Sequence, residues 1–253
     1  HGSETVKNVI PQDAIVVMQT EQLGTGHAVK MAKDTINDDD IIVVLCGDTP
    51  LIEKETLEKL FAYHLENEYM ATVLTTKVED PTGYGRVIRD SEGNFEKIVE
   101  QKDANEEELA VNEINSGIYC FKGDKLKEAL DLLDNNNAQG EYYLTDTMKI
   151  IKDKGSKVGV FVGATIEELM GVNSRVQLAQ AEAIMRKRIN KKHITMKKTL
   201  TVNLGGTVFH IDEDAYRLLD NYLSNLKIHF RKEAGADEII DDIERRISEL
   251  FTE

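Results

Sequence analysis

Positive charge is scarce in this sequence. Its 31 Lys and Arg stand against 46 Asp and Glu, a formal net charge of −15, with an isoelectric point near 4.9. So acidic a chain is a poor nonspecific binder of nucleic acid or of an anionic membrane. A divalent cation at one site can still hold an anionic small molecule against that field. Cysteine is scarce as well. Cys46 and Cys120 lie in apolar runs, "IIVVLC" and "GIYCF", which favours buried free thiols over a disulfide and fits a reducing, cytoplasmic setting. No apolar run approaches the roughly 18 residues of a membrane span, and the first residues do not read as a signal peptide. The six histidines and two cysteines show no metal-ligand spacing.

What remains is an ordinary globular composition: 253 residues, 41% hydrophobic, 30% charged and only 3 Pro. That length suits one large domain, or a medium one with a small one, and can bury a sizeable core. "HGSETVKNV" opens with a turn and a capping Ser3 before a helix-like stretch.

"AIVVMQ" (Ala14–Gln19) and "IIVVLCGD" (Ile41–Asp48) are continuous apolar, β-branched runs. With a helical stretch from His27 to Thr35 between them, they predict a βαβ unit in a parallel sheet, hence an α/β fold. A helix follows in "TPLIEKETLEKLFAYHLENE", its apolar stripe carried by Leu57, Leu60, Phe61 and His64. "MATVLTTKV" predicts a strand. "GRVIRDSEGNFEKIVEQ" predicts a hairpin turning at Gly93-Asn94, and "EINSGIYCFKG" another strand. Helices are expected at Asp124–Leu133, Leu144–Lys154 and Ser174–Lys192, with a strand in "KVGVFVG". Beyond the basic stretch "RKRINKKHIT" the text changes, and a module boundary is placed near Thr195/Met196. After it come two strands turning at Gly205-Gly206 and two amphipathic helices. The second carries Ile239, Ile240, Ile243, Ile247, Leu250 and Phe251 on one stripe.

Six motifs can carry chemistry. "LCGDTPLI" delivers Gly47 and Asp48 at the C-terminal end of a strand, where ligands of open α/β sheets bind and where a carboxylate suits Mg²⁺. Taken alone, Asp48 reads more readily as a surface residue capping the following helix. "QTEQLGTGHA" offers the carboxamides of Gln19 and Gln22, the vocabulary of a base edge, and backbone N–H groups at Gly24 and Thr25. Alone it is a polar strand-to-helix turn. "DPTGYGRV" is a glycine-rich loop. Glu100 and Lys102 in "VEQKDA", with Asn115 in "EINSGIY", face either solvent or a pocket. "NNNAQGEYYLTD" is a polar loop, and Asn173 in "GVNSRVQLAQAE" sits where a helix N-cap would sit.

In this order the motifs closely resemble the uridyltransferase domain of bifunctional N-acetylglucosamine-1-phosphate uridyltransferase/glucosamine-1-phosphate acetyltransferases, over about residues 1–193. The resemblance implies a Rossmann-like, glycosyltransferase-A-like nucleotidyltransferase sheet. It also implies uridylyl transfer from UTP to N-acetylglucosamine 1-phosphate, giving UDP-N-acetylglucosamine, a cell-wall precursor, and pyrophosphate. Asp48 and Asn173 inherit the role of Mg²⁺ ligands. Gln19, Gln22, Gly24 and Thr25 inherit contact with uracil. Gly85, Glu100, Asn115, Tyr143 and Thr145 match positions around the sugar and ribose, beside Gly47 in the metal motif. Such chemistry needs positioning and charge neutralisation, not a protein nucleophile.

The match begins after the family's first βαβ region. The glycine-rich loop, Arg and Lys that cradle the triphosphate are therefore expected to be missing, and turnover by this chain alone to be impaired. The family's β-helical acetyltransferase domain, with its trimerisation surface, is expected to be missing too. Residues 196–253 resemble instead the segment that opens phage-shock-protein-C-like membrane proteins, which implies a small helical module for a protein partner or a second copy. The domain reading is 1–195, a truncated nucleotidyltransferase ending in a linker helix, and 196–253. The alternative function is a non-catalytic fusion or interaction protein carrying a nucleotidyltransferase remnant.

Overall fold

A computed structural model of the chain describes residues 6–196, 199–204, 207–231 and 235–250. The chain divides into two compact units, His1–Ala181 and Glu182–Glu253. Ser3 and the Gly205-Gly206 turn lie outside the described residues.

The first unit is a mixed six-stranded sheet with flanking helices. Its elements are α1 (Thr25–Met31), a 3₁₀ turn (Lys33–Thr35), β1 (Ile41–Val44), α2 (Lys54–Glu66), β2 (Ala71–Lys77), β3 (Arg86–Arg89), β4 (Phe95–Val99), α3 (Glu106–Leu109), β5 (Glu113–Lys122), α4 (Gly123–Leu132), α5 (Thr145–Asp153) and β6 (Val158–Val162), and α6 (Arg175–Met196) begins in it and continues past Ala181. The strand order is β4-β3-β5-β2-β6, and β1 pairs with β5 beyond the run of β3.

β5 organises the sheet. It pairs antiparallel with β1 through Tyr119–Lys122, with β2 along most of its length, and with β3 at Ile114. Its alternating side chains feed two cores, as a pleated strand must. Tyr119 and Phe121 join Val73, Leu126, Leu130 and Met148. Ile114, Ile118 and Cys120 join Leu60 and Leu74. On α2 the buried stripe is Thr56, Leu60 and His64, with Leu57 half-buried and the expected Phe61 exposed. The β3–β4 hairpin turns where the sequence places it. Gly93 lies at φ 85°, and Asp90 Oδ1 accepts from the N–H groups of Glu92 and Asn94.

Two expectations are corrected. Ala14–Gln19 forms no strand, and Ile15, Val16, Val17 and Met18 stand exposed. A strand needs a ladder partner, and among the described residues this segment has none. The sheet is also not a run of parallel strands. β1 and β2 point the same way, but β5 lies antiparallel between them, and β2–β6 is the parallel pair among the described residues. Apolar runs announce burial on both faces; they do not say which strand comes between.

In the second unit, β7 (Thr199–Leu204) and β8 (Thr207–Asp212) form an antiparallel hairpin, followed by α7 (Glu213–Phe230) and α8 (Ala236–Leu250). Leu204, Leu223, Ile240 and Ser248 are buried. Ile239, Ile243 and Ile247 are half-buried on the expected stripe of α8; the side chain of Leu250 and all of Phe251 lie outside the described residues. No helix among the described residues is long and apolar enough to cross a membrane.

Candidate functional site

A bulge shapes the site. Between Val73 and Thr75 of β2 the register against β5 shifts, and Gly117 takes φ 76°. Bulges re-aim side chains and collect beside functional sites. Here the bulge turns Asn115 so that its Oδ1 accepts from Gly117 N–H and from the Tyr119 hydroxyl, both at 3.0 Å. Gly117 permits close approach as well as positive φ: a Cβ there would stand 2.7 Å from Cys46 Sγ. The Cys46 thiol donates to the Gly117 carbonyl at 3.4 Å, and burial, then the nearby Asp48 charge, pushes it above its ordinary range.

Around this bulge lies a cavity of about 270 Å³ whose walls include Thr25, Cys46, Glu100, Asn115, Tyr119 and Thr145. These walls come from five elements: the start of α1, the end of β1, the end of β4, the start of α5, and β5, which supplies both Asn115 and Tyr119. The Glu100 carboxylate lies over Gly85; a Cβ on that glycine would stand 3.2 Å from both oxygens. Burial, then the charges of Asp146 and Asp103, pushes the Glu100 carboxyl up. Burial first, and then the charges of Asp134 and Asp103, push Asp146 up to about 6.

The turn at the start of α1 is laced to the loop before α5. Gly26 N–H donates to the Tyr142 carbonyl at 2.8 Å, and Tyr142 N–H returns a bond to Leu23. Thr25 Oγ1 accepts from Leu144 N–H at 3.1 Å. Gly24 sits at φ 106°, and a Cβ there would collide with the Tyr142 carbonyl at 2.6 Å. Gln19 reaches across this turn, its Nε2 donating to the Gly24 carbonyl at 3.0 Å. Gln22 is exposed.

Beyond β1, Asp48 meets Asn173. The Asp48 carbonyl accepts from Val172 N–H at 2.8 Å. Gly171 lies between the two side chains: a Cβ there would stand 3.3 Å from Asn173 Nδ2 and 3.5 Å from Asp48 Oδ2. The N-cap role belongs to Ser174, whose Oγ accepts from Gln177 N–H at 3.2 Å. That leaves the Asn173 carboxamide free of helix capping. Gly47 has open space around it.

Of the residues singled out in the sequence, Thr25, Glu100, Asn115 and Thr145 line one cavity. Asp48 and Asn173 form a pair, and Gln19 and Gly24 a third group. Tyr143 is not among the cavity walls. Its hydroxyl accepts from Gln139 Nε2 at 2.9 Å and donates to Asp103 at 3.4 Å, so it ties the 135–141 loop to the turn after β4. Sequence reading passed over Gly117, Gly171, Tyr119 and His27. The two glycines carried a signal, since each sits within a motif already singled out. Tyr119, in the motif that holds Asn115, belongs to the core as well as to the cavity wall.

Residues 7–166 match the family described as Nucleotidyl transferase. The chain belongs to that family. It is 68% identical over 200 residues to the bifunctional protein GlmU of Clostridioides difficile (strain 630), covering 79% of this chain and 44% of that protein. It is 57% identical over 200 residues to the GlmU of Alkaliphilus oremlandii (strain OhILAs), with the same coverage of 79% and 44%. The chain thus spans less than half the length of these relatives. A solved UDP-glucose pyrophosphorylase, complexed with UDP-glucose, shares the fold at a TM-score of 0.50 and 20% identity, covering 71% of this chain and 70% of that one. The fold is accordingly the Rossmann-like sheet of nucleotidyltransferases.

Proposed function

We propose that this chain carries a site for uridylyl transfer from UTP to N-acetylglucosamine 1-phosphate, yielding UDP-N-acetylglucosamine and pyrophosphate. The observation that carries the reading is the meeting of Asp48 and Asn173 across Gly171. The Asp48 carboxylate and the Asn173 carboxamide, once turned to present Oδ1 in place of the Nδ2 that now lies nearest, are oxygen donors that suit Mg²⁺, which takes few protein ligands and completes its shell with water and substrate phosphates. No cluster of three or more His, Cys, Asp or Glu that could hold a metal occurs among the described residues. That is compatible with a site sharing its metal with the substrate. When bound, Mg²⁺ would neutralise charge on the phosphates, in a neighbourhood otherwise made acidic by Asp48 and Glu100.

The chain's own residues do the positioning. Gln19, Gln22 and the Gly24–Thr25 turn would hold the base. Glu100 and Asn115, with Gly85 and Thr145, would hold the sugar hydroxyls and the acetamido group. Tyr143 would act from behind, fixing the loop. With both substrates aligned, an oxygen of the sugar 1-phosphate attacks the α-phosphorus of UTP and pyrophosphate leaves, a reaction that needs alignment more than covalent help. A cytoplasmic setting fits these substrates.

We also infer, from the residues alone, that a small module of phage-shock-protein-C-like type begins near Met196 and serves a protein partner or a second copy of the chain. The test of the main reading is pyrophosphate release from UTP and N-acetylglucosamine 1-phosphate with Mg²⁺. Asp48→Ala and Asn173→Ala should each lower the rate by about 100-fold or more. Unchanged rates in both variants overturn the assignment.

A further inference from the structure

Gln19 Nε2 lies 3.0 Å from the Gly24 carbonyl oxygen and 3.0 Å from Nδ1 of His27. A carbonyl can only accept, so the nitrogen end of the carboxamide must face it. An amide nitrogen has two hydrogens and no lone pair to offer. The second hydrogen therefore goes to Nδ1 of His27, which must be unprotonated, with the ring proton on Nε2. Both donors of Gln19 are thus used inside the protein. What Gln19 has left to offer is Oε1, which takes no hydrogen bond among the described residues.

We propose that His27 is a positioning residue for base selection: with the Gly24 carbonyl it locks the Gln19 carboxamide so that it presents an acceptor alone. An acceptor-only group suits a base edge with a ring N–H, such as uracil, and rejects one whose ring nitrogen is itself an acceptor, such as cytosine. An unlocked glutamine would rotate and serve either. The inference rests on the reading above that Gln19 lies at the base site. It adds to that reading a residue and a mechanism of discrimination. His27 is fixed by its place in the third position of α1, one turn from Gly24, so the lock and the glycine turn are built from a single stretch, Gln19–His27.

The test is equilibrium binding of UTP and of CTP, with Mg²⁺, to the full 253-residue chain. The wild-type chain should favour UTP. His27→Phe, which removes the acceptor, should lower the UTP-to-CTP ratio by about five- to tenfold, the scale of one hydrogen bond. His27→Asn, whose Oδ1 can accept in place of Nδ1, should restore most of the ratio. A residue that merely supports the helix would move both affinities together and would not be rescued in this way. If His27→Phe does not fold, His27→Ala decides, since alanine adds no bulk and suits a helix. Gln19→Ala separates the two readings. If Gln19→Ala weakens UTP while folded His27 variants keep the wild-type ratio, the lock is wrong and the base site stands. If Gln19→Ala leaves UTP binding unchanged, or the wild-type chain binds neither nucleotide, the base site and the lock fall together.

Discussion

The carboxylate of Glu168 accepts the hydroxyl of Thr56 at 2.5 Å across 112 residues of sequence. Its Oε1 also accepts from Glu53 N–H at 3.3 Å, and its Oε2 takes Thr165 N–H at 2.8 Å and the Thr165 hydroxyl at 2.9 Å. α2 has no side-chain cap of its own at Glu53. Glu168, 115 residues further along the chain, supplies one, and in doing so pins the loop that leads to Asn173 beside the helix that follows Asp48. Burial pushes this carboxyl up, but the bonds from Thr56, Thr165 and Glu53 outweigh burial and hold it below its ordinary range. Glu168→Ala should cost about 2–3 kcal/mol of stability, from buried donors left without an acceptor. It should lower turnover as well, read by thermal unfolding beside the pyrophosphate assay. The stability from Glu168 is full above the ordinary glutamate range and is lost as pH falls through the depressed value.

His64 should make the fold acid-sensitive at a higher pH than Glu168 does. Its ring is 1% exposed, Nδ1 lies 2.9 Å from the Thr72 hydroxyl, and Nε2 has no partner. Burial pulls its pKa down to about 4. A histidine depressed in the fold contributes stability that is full above about 6.5 and is lost as pH falls toward 4. His64→Leu should remove about 2–3 kcal/mol of the wild-type stability difference between pH 7 and pH 4. Equal pH slopes for variant and wild type, by denaturant unfolding, would contradict this.

Asp146 runs the other way. With its carboxyl pushed up to about 6, the folded chain prefers it protonated. The cost of the charge is therefore full above about 6 and fades as pH falls toward the unfolded value near 3.9. Asp146→Asn should stabilise the chain by about 1–2 kcal/mol at pH 7.5, after discounting for partial exposure. The gain should vanish near pH 4, as melting temperatures at both pH values would show.

Gly171 should be intolerant of bulk for a functional reason. A valine there would enter the space between Asp48 and Asn173. Misplacing a positioned group by about 1 Å can cost roughly 100-fold in rate. Gly171→Val is expected to lose activity on that scale while its melting temperature stays within a few degrees of wild type. A large loss of stability in place of activity would make Gly171 a packing residue.

Much of the fold was legible because its signals are local. Gly93-Asn94 turns the β3–β4 hairpin, the run "EINSGIYCFKG" is β5, and the helices of residues 123–153 lie within a residue or two of their expected bounds. Ala14–Gln19 misled because a β-branched apolar run reports affinity for a sheet and not the presence of a partner. Asn173 read equally as a helix cap or a ligand; one residue on, Ser174 took the cap.

By itself the sequence determined the order of the motifs, the family they belong to, and the chemistry each residue type can offer, since these depend on side-chain identity and spacing alone. Only the tertiary structure decided which of them meet. Long-range contacts arise from packing between elements far apart in the chain, which local periodicity does not encode. So Glu168 capping α2, Gly171 between Asp48 and Asn173, the bulge at Gly117 aiming Asn115, and His27 turning Gln19 into an acceptor belong to the fold.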